Sequence, residues 1–426
     1  MSGFRFVHAA DLHLDTPFEG LRDTAPAVGR ALRDASLEAL DALVDLCIEV
    51  DAAFLVIAGD VYDGPERGLR AQLRFRAGLE RLSHFGVRVL VVHGNHDPTE
   101  EGWSAIREWP EGVHVFGSER VEAVEIDGVA TVYGISYPRS DVRENLALAF
   151  PRKAGRSEGT GLRVGVLHCN AGGHAGHAPY AACNLDDLTG AAIDYWALGH
   201  VHAREVLCED PWVVYPGNLQ GRSPHAGERG EKGAMVVDVE DGRVAAVTFR
   251  ALDRVRFLVS ELDVSSASDL GEVESRLRAQ ADALRDEHPG RSLVLSARLT
   301  GRSALRSDLG RAGTLRDLLE SLREVAGRGS SPADGVPFVW WAALVSDVAL
   351  PIDRTAMREG DDFCAELLGL ADELSGRPED LIRFAREAFA DLPDELRGVA
   401  LPSGARTAEL LRAAEQLALE RFGDPE

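Results

Sequence analysis

The stretch Phe4-Arg-Phe-Val-His-Ala-Ala-Asp-Leu-His13 begins as an apolar run and ends in a carboxylate and an imidazole two residues apart. Four later segments repeat the pattern: Gly59-Asp-Val-Tyr-Asp63 after Phe54–Ala58, Gly94-Asn-His-Asp97 after Val87–Val92, His168 after Leu162–Leu167, and Gly199-His-Val-His202 after Tyr195–Leu198. Each run is short, rich in β-branched or aromatic residues, and stops at Gly, Asp, Asn or His, as buried strands do. Between the first two runs, Leu32, Leu37, Leu40, Leu43 and Leu46 fall at helical spacing within Val28–Glu49. Strand–helix–strand alternation predicts an α/β layered domain. Loops leaving the C-terminal ends of neighbouring strands converge on one crevice, so the five segments are expected to share a site. Two ligands at i and i+2 leaving a strand are expected to project to the same side.

Working outward, Val129–Gly134 and Trp212–Tyr215 read as further strands. Two hairpins are legible around Asp127-Gly128 and Asp241-Gly242, the residue pair a type I′ turn favours. Residues 1–250 are thus expected to form the first domain. A second pattern begins near Arg254. Strands Phe257–Leu262 and Ser292–Leu299 flank a helix over Leu270–Glu287. A helix Leu315–Ala326 follows a Thr314-x-x-Asp317 capping box, and Val336–Ser346 is another strand. Residues 254–350 therefore read as a small α/β domain, with Gly327–Gly335 as a short linker. Beyond Pro351, Asp361–Leu374, Pro378–Phe389 and Ala405–Phe422 are amphipathic helices separated by Gly/Pro breaks, a helical tail over 351–426.

Composition narrows the function. With 426 residues and 45% hydrophobic side chains the chain can bury a large core, which excludes disorder throughout. The longest apolar stretch, Phe338–Leu350, carries Asp347 and falls short of the roughly 18 residues of a membrane span. The opening MSGFRFVHAADLHLD lacks the apolar core of a secretory signal, so a cytoplasmic protein is expected. Five scattered cysteines without a C-x-x-C pair argue against a disulfide framework or a cysteine zinc site.

The net charge is -24, and both halves share it: 24 basic against 37 acidic residues through position 250 give -13, and 22 against 33 beyond it give -11. Bulk charge will not attract nucleic acid. A polyanion must be held by a local basic patch, a metal or a partner. Arg67, Arg70 and Arg74 stand at i, i+3 and i+7 just beyond Asp63, with Arg76 and Arg81 nearby, and Arg222 lies beside the expected site. Arg67, Arg70, Arg74 and Arg222 are the expected DNA-binding residues, since guanidinium suits bidentate phosphate contact.

The expected ligand set is carboxylate, amide oxygen and imidazole without thiolate. That mixture suits Mn2+ or Fe2+, with Zn2+ as a further choice, better than a cysteine zinc site or an all-oxygen calcium cage. Seven candidate ligands exceed the needs of one metal and suit two sharing a carboxylate. Metals about 3.5–4 Å apart can bridge a hydroxide and bind the phosphate oxygens it attacks, so the reaction class is phosphoester hydrolysis.

D-x-H, G-D-x-x-D, G-N-H-D, a lone His and G-H-x-H, in this order, resemble the calcineurin-like metallophosphoesterases. The order and spacing are most similar to the SbcD-like and YhaO-like exonuclease subunits, and Asp194–His202 followed by Tyr215–Arg222 is particularly similar to YhaO-like proteins. The resemblance implies a four-layer α-β-β-α core and two divalent metals, Mn2+ before Fe2+ or Zn2+. One metal would be held by Asp11, His13, Asp60 and His202, the other by Asp60, Asn95, His168 and His200. His96 would not ligate; it would stabilise the transition state or protonate the leaving oxygen, with Asp97 orienting its ring. Relatives from archaea and eukaryotes carry a second His where this chain has Asp63, so that role does not transfer. His93 reads as structural, and His174 and His177 as part of a Gly-rich surface loop.

The resemblance further implies a DNA exonuclease or endonuclease subunit acting in DNA repair. Residues 254–350 would cap the site and select nucleic-acid shapes. The tail would dock on an SMC-like ATPase of the SbcC or YhaN kind, and a homodimer is a family expectation. Two rival readings stand beside this one. A phosphatase of the same superfamily, acting on nucleotides, cyclic nucleotides or phosphoproteins, would usually lack so long a C-terminal extension. A catalytically idle scaffold of an ATPase complex would not need a complete ligand set.

Overall fold

Val7, Ala9 and their neighbours in β1 (Phe4–Ala9) are buried on both faces, which explains why the strand reads as a continuous apolar run rather than an alternating one. It lies inside a six-stranded sheet with β2 (Ala52–Ala58), β3 (Arg88–Val92), β4 (Val113–Val115), β11 (Gly233–Glu240) and β12 (Arg243–Ala251), in the order β12-β11-β1-β2-β3-β4. The computed structural model describes residues 3–16, 26–64, 67–101, 103–153, 161–173, 180–329, 336–351, 354–388 and 404–422. They divide into two compact units, residues 1–259 with 281–296 and 323–342, and residues 260–280 with 297–322 and 343–426.

In the first unit a second six-stranded sheet runs β5-β6-β7-β8-β10-β9, built from β5 (Glu122–Ile126), β6 (Ala130–Gly134), β7 (Leu162–His168), β8 (Tyr195–Gly199), β9 (Glu205–Glu209) and β10 (Trp212–Tyr215). The two sheets face each other across one apolar layer. Phe6, Phe54, Val56 and Leu90 from the first meet Val132, Val164, Tyr195 and Ala197 from the second, and Phe6 stacks on Phe54 with ring centroids 4.7 Å apart. Helices α1 (Pro26–Glu49) and α2 (Leu69–His84) cover the outer face of the first sheet, burying Leu40, Leu43, Phe75 and Leu79 against Leu55, Ile57 and Val89. Each such side chain contributes about 1.5–3 kcal/mol on leaving water. The outer face of the second sheet carries Trp196, Leu198 and Val213, packed under Tyr137, Phe150 and Leu188. The chain is therefore a mixed α/β protein with helix, sheet, sheet and a thin outer layer, the last held by the short helix Leu185–Thr189, a 3-10 turn and loops.

Register decides where the loops meet. β1 and β2 run parallel with Ala9 beside Ile57, and β2 and β3 with Ala58 beside Val92. β7 and β8 run parallel with His168 beside Gly199. All five strands thus release their chains at the same edge. Both Asp-Gly hairpins form, with Asp127, Gly128, Asp241 and Gly242 all at positive φ, as a type I′ turn needs.

A third sheet has the order β13-β14-β15, from β13 (Val255–Asp263), β14 (Ser292–Thr300) and β15 (Val339–Ser346). The helix Leu270–Glu287 has the bounds its periodicity predicts. The next helix, Thr314–Gly329, differs at its start: Asp317 N–H donates to the Gly313 carbonyl at 2.8 Å, so Gly313, at φ 96°, precedes the first turn and Thr314 lies inside it. Within the second unit, helix Phe363–Ser375 is capped by Asp362, whose carboxylate accepts from Ala365 N–H, and it buries Cys364 and Leu368 against Leu419 of Gly404–Phe422. Among the described residues no helix is long and apolar enough to cross a membrane.

Candidate metal centre

The loop after β1 does not continue the strand. Asp11 and His13 both adopt positive φ, 51° and 43°, and the backbone instead pairs with the loop after β2: Asp11 N–H to Gly59 O, His13 N–H to Asp60 O and Leu14 N–H to Val61 O, each 3.0 Å. Strand alternation is therefore not what sends the two side chains to one side; left-handed residues locked by the neighbouring loop do so. Asp60 and His200 are also left-handed, at 50° and 98°. Such residues each cost on the order of 1–3 kcal/mol and persist where surrounding structure over-determines them. Gly59 (φ 93°) and Gly94 admit the histidine that ends β7 of the second sheet: a Cβ at either would overlap the His168 ring.

The seven expected ligands converge. Asp11, His13 and His202 bring one ligand atom each within 4.8 Å of one another, as do Asp11, Asp60 and His168. Asn95 Oδ1 lies 3.0 Å from His168 Nε2, and the His200 ring packs edge-on against His168 at 5.3 Å. Asp11, Asp60 and His168 are almost fully buried.

Proton positions test whether these groups suit a cation. His168 Nδ1 donates to the Ala58 carbonyl at 3.0 Å, which leaves Nε2 a bare lone pair in the neutral ring. That lone pair faces two acceptors, Asn95 Oδ1 and Asp60 Oδ2 at 3.3 Å. His202 Nδ1 likewise donates to Glu228 Oε1 at 2.7 Å, and its Nε2 meets His13 Nε2 at 3.2 Å. His13 Nδ1 lies 2.9 Å from Asp63 Oδ1, close but off the axis of a hydrogen bond. Lone pairs converging in this way require a proton or a metal between them, so the donor set fits a divalent cation.

The charges agree. Burial pulls His168 down, but the Asp60 and Asp11 carboxylates outweigh it and raise its pKa to about 9. Burial would raise Asp60, yet His168, His13 and His96 hold its carboxyl well below the usual range. His13 is lowered, by burial first and the nearby Arg222 second.

Other expected residues fall elsewhere. Asp97 does not orient His96. Its buried carboxylate accepts from Val61 N–H at 2.9 Å and Gly94 N–H at 2.8 Å, and lies 3.0 Å from His93 Nδ1, so it fixes the two loops that carry Asp60 and Asn95. His96 Nδ1 instead sits 3.4 Å from the Asp63 carbonyl and 3.7 Å from its carboxylate. His93 thus has the structural place its position suggested. His174 and His177 lie outside the described residues.

The arginine stripe also changes. Arg67 precedes α2, at φ 36°, and its guanidinium donates to the carbonyls of Asp97 (2.8 Å) and Pro98 (2.5 Å), bracing the loop after Asn95. Arg70 pairs with Asp34 and Arg74 with Asp41, both from α1. Arg222 faces inward to Asp63 and Glu228. Glu228 itself was not anticipated, because the segment Gly221–Glu228 carries no spacing that marks it. Tyr215-Pro-Gly-Asn218 runs beside the centre, with Asn218 N–H donating to His202 O and Leu219 N–H to Asp11 O.

A two-sheet core whose strand ends gather these groups defines a phosphoesterase class, and the sequence comparisons agree. Residues 4–204 match the calcineurin-like phosphoesterase family, and residues 257–349 match the middle domain of metallophosphoesterase YhaO. The chain is 33% identical over 404 residues to metallophosphoesterase YhaO of Bacillus subtilis, covering 94% of this chain and 90% of that protein. It therefore belongs to the YhaO-like metallophosphoesterases. More distant relatives include the DNA double-strand break repair protein Mre11 of Thermoplasma acidophilum, 26% identical over 49% of this chain and 57% of that protein. The SbcD component of nuclease SbcCD from Bacillus subtilis is 28% identical over 34% of this chain and 36% of that protein.

Proposed function

We propose that this protein is a two-metal DNA nuclease subunit acting in DNA repair, hydrolysing phosphodiester bonds as exonuclease or endonuclease. The observation that carries the reading is the convergence of all seven ligand side chains at one sheet edge beside His96. Asp11, His13, Asp60 and His202 would hold one metal, and Asp60, Asn95, His168 and His200 the other. Mn2+ is the preferred ion for this donor set, before Fe2+ or Zn2+. Bound there, the metals supply a hydroxide nucleophile and a clamp on the phosphate oxygens.

The chain's own residues do the rest. Buried Asp60 would be the ligand common to both sites, and it also has a structural role: Oδ1 accepts from His96 N–H at 2.9 Å, tying the loop that carries His96 to Asp60. His96 packs edge-on against His13 at 4.9 Å, with Nδ1 turned to the Asp63 carbonyl, which leaves Nε2 to hand a proton to the departing oxygen. Arg70 and Arg74 are about half exposed, so a phosphate can displace their aspartates and the substrate strand can lie along α2. Residues 254–350 select the nucleic-acid shapes admitted, and the tail 351–426 docks on an SMC-like ATPase. The kinship with a DNA double-strand break repair protein and with a component of a nuclease supports DNA as the substrate.

The test is hydrolysis of end-labelled linear duplex DNA with Mn2+, beside bis(p-nitrophenyl) phosphate, for the parent and His96→Ala. DNA degradation lost in the variant supports the nuclease. Turnover of the small ester with DNA left intact, ATPase partner present, would falsify it.

A further inference from the structure

Glu228 and Asp63 are far apart in sequence, yet each carboxylate meets the Nδ1 side of a histidine assigned to the same metal. Glu228 Oε1 accepts from His202 Nδ1 at 2.7 Å, and Asp63 Oδ1 lies 2.9 Å from His13 Nδ1. Arg222 joins the two carboxylates. Its Nη1 pairs with Asp63 Oδ1, its Nε reaches Glu228 Oε1 at 3.4 Å, and its backbone N–H donates to Glu228 Oε2 at 2.9 Å. The ring nitrogens on the far side, Nε2 of His13 and of His202, then point at one another across 3.2 Å.

The relay is itself held from behind. Asn218 Nδ2 donates to Glu228 Oε2 at 2.7 Å, and buried Lys232 donates to the carbonyls of Gly227 and His202, both at 2.5 Å. Each oxygen of the Glu228 carboxylate thereby accepts two hydrogen bonds, Oε1 from His202 and the Arg222 side chain, Oε2 from Asn218 and the Arg222 backbone.

We propose that Asp63, Arg222 and Glu228 form an ion-pair relay that positions His13 and His202 for one of the two metals. The relay rests on the two-metal reading above. Carboxylates behind ligand histidines fix the tautomer and ring angle and raise the basicity of the ligating nitrogen, and their loss typically reduces metal affinity ten- to a hundredfold. Arg222 lets two such carboxylates stand beside a centre that already buries Asp11 and Asp60, by offsetting part of their negative charge. Arg222, expected on the substrate strand, is thereby a positioning residue, and Asp63 keeps a role distinct from that of the histidine found there in some relatives.

The experiment is calorimetric titration of the full, metal-free chain with Mn2+, for the parent, Glu228→Gln and Arg222→Met, with a thermal melt of each. Glu228→Gln keeps the shape but offers an amide N–H to Arg222 and Asn218. It should weaken one Mn2+ site roughly tenfold or more and leave the other unchanged. Arg222→Met, at a side chain 21% exposed, should weaken the same site less and melt like the parent. It decides the matter if Glu228→Gln melts early. Two unaltered sites in the variants, or equal weakening of both, overturns the relay while the metal centre stands. A parent chain that binds no Mn2+ overturns the two-metal reading itself.

Discussion

The sheet edge that gathers the candidate metal ligands and the face of α2 that carries the arginines were both read from residue spacing, and they came out differently. At the edge, spacing is enforced by backbone pairing: His168 stands opposite Gly199 in the register of β7 and β8, and the Asp11 loop donates three backbone hydrogen bonds to the Asp60 loop. On α2 nothing in the backbone fixes where a guanidinium goes. Arg70, Arg74 and Arg81 each turn to an aspartate of α1, and Arg67 lies before the helix. A short side chain on a paired backbone is placed by local sequence. A long charged one is placed by its tertiary neighbours.

The largest effect that could break this contrast is at the edge. Asp60→Asn removes the carboxylate proposed to serve both metals and leaves His168, His13 and His96 without it. Hydrolysis of bis(p-nitrophenyl) phosphate should fall roughly a thousandfold, the several kcal/mol of charge stabilisation a metal supplies. Retention of more than a tenth of the parent rate would detach the edge from the chemistry. Next is Gly59→Ala. A side chain there is strained at φ 93° and overlaps His168, so the variant should lose about 2 kcal/mol of stability or more in urea unfolding, with weakened Mn2+ binding. A neutral outcome would mean the strand ends are looser than their register requires.

Most of the core and the gathering of the seven candidate ligand residues at one edge were legible because strand ends, glycines and Asp or His residues mark that edge from the sequence alone. Three things were not. Asp97 follows His96 directly, and adjacency suggested that it serves that ring, but its carboxylate is taken by the backbone N–H groups of Val61 and Gly94. Glu228 reaches His202 only through the fold of the segment after β10. The left-handed conformations of Asp11, His13 and Asp60 use residue types that tolerate positive φ, but are fixed by the neighbouring loop rather than by residue type alone.

A smaller effect probes the buried interior behind the edge. His8 is fully buried, its Nε2 donating to Leu198 O at 3.2 Å and its Nδ1 accepting from Tyr195 OH at 3.1 Å. Burial lowers its pKa to about 3, against 6.5 for an exposed ring. The unfolded chain therefore binds one proton more than the folded chain between those values. Stability from this residue is complete above pH 6.5 and is lost as pH falls toward 3, at about 1.4 kcal/mol per pH unit. Urea midpoints measured from pH 6.5 to 4 should show a shallower acid slope in His8→Asn than in the parent, whatever the variant's stability at neutral pH. Parallel slopes would mean the ring takes its proton inside the fold.

The smallest effect sharpens the other half of the contrast. If the arginines of α2 hold a DNA strand, the aspartates opposite them compete with phosphate for the same guanidinium groups. Asp34→Ala with Asp41→Ala removes the nearest carboxylate from Arg70 and from Arg74, leaving Arg70 its 3.5 Å pairing with Asp15, and because the lost pairs are exposed their loss should change stability by less than about 1 kcal/mol. DNA binding should tighten several-fold at low salt, and the steepness of its salt dependence should grow by up to about one per arginine released. Arg70→Ala with Arg74→Ala should move both quantities the other way and leave turnover of bis(p-nitrophenyl) phosphate untouched, since neither side chain contacts the metal ligands. Opposite shifts from the two pairs would show that carboxylate and phosphate share one site on α2. Identical binding in all three proteins would assign the stripe to helix packing, and the polyanion would then have to be held by metals, another surface of the chain or a partner.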